Sequence, residues 1–113
     1  MVKLTVMYPY REGCRFDMDY YVNRHIAIHK EDPAVLGIII EQGCNAFRSG
    51  KDPGMVCVAH FFYESIGKLN ESRTEEKGRR QLADLVNFTD ITPVDQISEV
   101  EYLDLGSWDN PKQ

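Results

Sequence analysis

Cysteine is scarce in this chain, and its pattern excludes more than it offers. Cys14, Cys44 and Cys57 are three thiols in 113 residues, widely spaced and without a C-x-x-C pair. That is neither a disulfide framework nor a zinc pattern. Basic charge is short as well: 13 Lys and Arg stand against 18 Asp and Glu, a formal net charge of −5. Nucleic acid and anionic membrane both want a basic patch, so neither is expected as a partner. No apolar run reaches the length of a membrane span, and Met1-Val-Lys-Leu-Thr5 reads as a strand rather than a secretory signal, so a cytoplasmic location is expected. A phosphate-binding loop is missing too. Ser49-Gly50-Lys51 lacks the leading glycine at the right distance and the following hydroxyl, and reads as a hairpin. With no dinucleotide, flavin or haem signature, no bound cofactor is expected, and any oxidation would have to draw its electrons from the substrate.

What is present describes an ordinary globular chain, 42% hydrophobic and 27% charged. Its length suits one domain over residues 1–113, able to bury roughly two-thirds of its unfolded surface. Val2, Leu4, Val6 and Tyr8 alternate with Lys3, Thr5 and Met7, the period of a half-buried strand. A helix follows from Met18 to about Glu31, stopped before Pro33. Val35 to Phe47 and Met55 to Tyr63 read as the second and third strands. Ser65 caps a short helix to about Asn70, and Thr74, followed by Glu75 and Glu76, starts a longer one ending near Leu85. Ile97 to Leu105 reads as the fourth strand, and the tail 106–113, with Trp108 and Pro111, as loop.

The third strand carries an architectural consequence. Val56, Val58 and Phe62 point one way, while Cys57, Ala59, Phe61 and Tyr63 point the other. Both faces are apolar, so both need covering. Two helices can cover one face of a four-stranded sheet, and nothing else in the chain can cover the second. A homodimer packed sheet against sheet answers this.

The most informative stretch is Phe16-Asp-Met-Asp-Tyr-Tyr-Val-Asn-Arg-His25. Asp17 is a good N-cap, with Phe16 and Tyr21 at the spacing of a hydrophobic staple. Met18, Tyr21, His25 and Ile28 then share one stripe, so an imidazole points where the helix buries itself. The run Phe-Asp-x-x-Tyr-Tyr-x-x-x-His after a first strand resembles the EthD family, small proteins linked to oxidative breakdown of ethyl tert-butyl ether. Asn87-Phe88-Thr89-Asp90, Pro93 and Ser98-Glu99 resemble that family's closing segment. One departure is Ile26-Ala27-Ile28 after the histidine, where many members carry x-Pro-Leu. The resemblance implies an α+β, ferredoxin-like βαββαβ fold with a four-stranded antiparallel sheet, pairing into a dimeric α/β barrel.

Three residues are candidates for chemistry. His25 is either a core imidazole satisfied by a neighbour or an acid–base group inside a pocket between helix and sheet, and the family motif includes it. Tyr21, one turn earlier, packs as the staple partner or holds the ring and offers a phenolic donor. His60 sits on the Val56, Val58, Phe62 face. It meets His25 if that face looks toward the helices, and packs at the dimer interface if it does not. His29 falls in the last helical turn, where the dipole favours a cation. Spaced i, i+4 from His25, it could share a metal, but no third ligand is evident and the Glu of a His-Glu-x-x-His motif is missing, so no metal is expected. Cys14, beside Arg15, is a candidate reactive thiol without an identified base.

The leading expectation is a homodimeric enzyme acting on an apolar, oxygenated or aromatic small molecule, oxidoreductase-like by resemblance, with His25 as the base. The same apparatus would run a decarboxylation, isomerisation or ring closure through an enolate. The alternative is a non-catalytic accessory protein that binds a hydrophobic ligand for a partner oxygenase. Haem binding, which the resemblance also permits, is a third reading.

Overall fold

In the computed structural model, which describes residues 1–107, four strands form one antiparallel sheet. They are β1 (Val2–Pro9), β2 (Val35–Gln42), β3 (Met55–Tyr63) and β4 (Val94–Glu99), ordered β2-β3-β1-β4. Between β1 and β2 runs a continuous helical segment: α1 (Met18–Tyr20), a π-helical turn (Tyr21–His25) and α2 (Ile26–Lys30). Between β3 and β4 lie α3 (Ile66–Ser72), α4 (Glu75–Asp84) and a 3-10 turn (Leu85–Asn87). This is the ferredoxin-like α+β architecture. Among the described residues no helix is long and apolar enough to cross a membrane.

The helix starts follow from their caps. Asp17 Oδ1 accepts from Tyr20 N at 3.0 Å, and Ser65 and Thr74 do the same for Lys68 N and Lys77 N at 3.2 Å each. The staple forms as well, with the Phe16 and Tyr21 rings 5.2 Å apart.

Register decides which side chains face the helices. Val2, Leu4, Val6 and Tyr8 stand opposite Tyr63, Phe61, Ala59 and Cys57, and these eight share the helix side of the sheet. Tyr8, Cys57, Ala59 and Phe61 there are buried, joined by Tyr21, Leu69 and Phe88 from the helical layer. Val56, Val58, His60 and Phe62 take the opposite side, half-buried, with no helix among the described residues laid over them.

Two strands differ from expectation. β2 stops at Gln42 instead of Phe47, because at Gly43 the backbone crosses hard against the next strand. A Cβ there would overlap the Met55 carbonyl and sit 2.9 Å from Pro53 Cβ. Phe47 itself is 98% exposed in the turn beyond. β4 begins at Val94 rather than Ile97 and ends at Glu99 rather than Leu105. Its only neighbour is β1, and the last rung is the Val100 N–H donating to the Met1 carbonyl at 3.0 Å. Of the tail, Gly106 lies in a turn with φ +58°, whereas Trp108 and Pro111 lie outside the described residues.

Candidate active site

A cleft of about 560 Å³ lies between the sheet and the helical layer. Leu4 and Val6 of β1 and Ile97 of β4 form its floor, α4 roofs it, and His25 and His29 stand in its wall. The space follows from the short, bent helical segment after β3, which leaves part of the sheet without side chains against it. Gly78 helps on the roof: a Cβ there would meet nothing within 4 Å.

His25 is 3% exposed and comes from the π turn, where Ile26 N–H reaches back to the Tyr21 carbonyl. Such one-turn π segments occur often at functional sites. The ring stacks on Tyr21 with centroids 5.3 Å apart and 17° between planes, and packs against Phe88 at 4.7 Å. Its Nδ1–H donates to Asp84 Oδ2 at 2.9 Å. Asp84 is fixed in turn, its Oδ1 accepting from the Tyr20 hydroxyl at 2.7 Å and the Asn87 amide at 2.9 Å.

Burial lowers the His25 pKa more than the Asp84 carboxylate raises it, so the ring is neutral near pH 7. For Asp84, burial pushes upward but is outweighed by hydrogen bonds from Tyr20, Asn87 and His25, so its carboxyl stays ionised below its ordinary value. A neutral ring that spends Nδ1–H on Asp84 keeps its lone pair on Nε2. Among the described residues the only sealed side-chain polar atom without a partner is His60 Nδ1. The Nε2 of His25 has no hydrogen-bond partner among the described residues and is not fully sealed, and the ring lines the cleft.

The other candidates divide. Tyr21 is in the site: its ring is 1% exposed, and its pKa is raised by burial, then by the neighbouring Tyr8 hydroxyl and Cys57 thiol. It stays a phenol and supports the imidazole from below. His60 is not brought to His25. It lies on the far side of the sheet, where its Nε2 meets Glu41 Oε1 at 3.1 Å. His29 is not the cation that its place at the helix end suggested. It is stacked on Phe61 with centroids 4.0 Å apart, and burial, followed by His25 and Lys77, lowers its pKa to about 4 against a smaller pull from Asp32.

Sequence reasoning missed Asp84. Its signal was local: an acid at the last position of α4, where the helix dipole disfavours negative charge. Tyr20 and Asn87 were passed over for the same reason, since their role is only to hold that carboxylate.

The two segments that carried the sequence resemblance meet in space. Phe16 pairs with Thr89 in an isolated bridge, and Asp17 N–H donates to the Phe88 carbonyl at 2.7 Å. Arg15 N–H donates to Asp90 Oδ1 at 2.8 Å, and the Thr89 hydroxyl donates to the Arg15 carbonyl at 2.7 Å. This joint ties the start of the helical segment that carries His25 to the chain just after Asp84.

Among solved structures, an EthD-like protein from Ralstonia eutropha JMP134 is 37% identical, with a TM-score of 0.83 over 92% of this chain and 95% of that one. The chain belongs to the EthD family. An EthD family protein from Bacillus halodurans C-125 follows at 18% identity and TM-score 0.69, covering 88% of this chain and 98% of the other. SnoaB, a cofactor-independent oxygenase from Streptomyces nogalater, shares the fold at 7% identity and TM-score 0.60, over 90% and 93% of the two chains. No protein-family model and no curated protein matches this EthD chain.

Proposed function

We propose that this EthD protein is a homodimeric acid–base enzyme acting on an apolar, oxygenated or aromatic small molecule, with His25 as the base. The carrying observation is the Asp84–His25 pair at 2.9 Å, which leaves Nε2 as a free acceptor in an apolar-floored cleft. Asp84 fixes the tautomer and balances the imidazolium that forms when the ring takes a proton. Tyr21 holds the ring plane by stacking, so the base waits in one orientation. The resulting enolate or phenolate would be the branch point for decarboxylation, isomerisation, ring closure or oxidation of the substrate itself. Oxidation of that anion, with dioxygen as the electron acceptor, is the route in keeping with an oxidoreductase-like family.

Solvent deuterium uptake at the α-carbon of 2-tetralone, followed by NMR, tests the base. The wild-type protein is expected to accelerate exchange, and His25→Ala to lose that acceleration by about 10²–10⁴-fold with the circular dichroism spectrum unchanged. Asp84→Ala should fall in the same range, because the ring loses its tautomer and its counter-charge. Equal exchange rates in wild type and His25→Ala would overturn the assignment. Unaltered ligand binding beside them would leave the accessory role, in which the cleft only carries an apolar compound.

A further inference from the structure

His29 stands in the same cleft, and the wall it shares with His25 defines what can bind there. The two rings are 6.0 Å apart, centroid to centroid, at 61°. The Gln81 amide nitrogen lies 3.4 Å from His29 Nε2. An amide nitrogen only donates, so Nε2 accepts and the ring proton sits on Nδ1. That N–H has no partner among the described residues and is not among the sealed polar atoms. Stacking on Phe61 at 4.0 Å fixes the ring plane. The charged groups facing it, Lys77 and Asp32, are paired with each other at 3.1 Å. The two rings that line the cleft thus carry one acceptor, His25 Nε2, and one donor, His29 Nδ1–H, each without a partner among the described residues.

We infer that His29 is an oxyanion-stabilising residue and that the ligands of this cleft carry a phenolic or enolic hydroxyl, bound through one oxygen shared by His29 and His25. This rests on the reading of His25 as the base. Any hydroxyl donates and accepts from one atom, but one on an sp² carbon is also acidic enough to pass its proton to an imidazole, and two hydrogen bonds of about 2.8 Å to it can span the rings. In the step, the O–H bond breaks and the proton goes to His25 Nε2. The electron pair stays on the oxygen, spread into the ring or enone, and accepts from His29 Nδ1–H. A neutral imidazole suits this task, since it does not titrate in the range where the base works.

The test uses 4-nitrophenol, whose ionised form has its own visible absorbance band, titrated into the intact protein across a pH series. Bound to wild type, its apparent pKa should drop by about one unit or more below the free value. His29→Phe keeps an aromatic ring on Phe61 and removes the donor, so the drop should vanish while binding persists. His29→Gln restores an N–H and should recover part of it. A drop in His29→Phe equal to that of wild type would overturn the role of His29 alone. If wild type itself leaves the bound phenol un-ionised, or binds none, the base assignment falls together with it.

Discussion

His25 and His29 share a helix and a cleft yet are held neutral differently. Asp84 partly offsets the burial of His25, whereas His25 and Lys77 add to the burial of His29. Each lowered value means that the unfolded chain binds more protons than the folded one. The stability that comes with neutral rings is therefore fully present above the unfolded pKa of about 6.5 and is lost as pH falls below it. For His29 the loss runs down to about pH 4 and amounts to about 3 kcal/mol. Urea unfolding of wild type should weaken across that window, and His29→Phe should flatten the slope. An unchanged slope would place the titrating group elsewhere. At this scale the sequence was half legible. A lone imidazole on an apolar stripe announced His25, but its hydrogen-bond partner lies 59 residues away, and no local pattern ties the two.

Elements were read best where chemistry is local. Asp17, Ser65 and Thr74 start their helices as their side chains predict. The π turn was hidden, because spacings of three and four describe an apolar stripe equally well with or without one extra residue in a turn. β4 was hidden for another reason. As an edge strand it alternates weakly, Asp95-Gln-Ile-Ser-Glu, and only its pairing with β1 defines it. Gly43 shows how one position ends an element. Gly43→Ala should destabilise the protein by about 1–3 kcal/mol, since its Cβ meets fixed backbone rather than a yielding side chain. Thermal melts measure this, and a shift no larger than that of Gly78→Ala, where space is open, would contradict the close crossing.

For the whole molecule, the side of the sheet away from the helices is where the proposed assembly is tested. Val56, Val58 and Phe62, with Ile39 beside them at 48% exposure, form an apolar patch that the described residues leave without a cover. A second copy is its proposed partner. Wild type should sediment as a dimer at micromolar concentration, and Phe62→Lys as a folded monomer, because a charge centred in such a contact has no counter-ion. A monomeric wild type would refute the pairing. That β3 carries apolar side chains on both faces was legible in its sequence alone. Which face meets the helices was not, and that choice is what separates His60 from the cleft.

The joint between residues 15–17 and 88–90 has a temporal side. Arg15 bonds a residue 75 positions later, and His25 one 59 positions later. A ribosome therefore releases the first helix long before the segment that orients its imidazole exists. Nascent or truncated chains that lack residues 84–90 carry the histidine without the carboxylate that orients it.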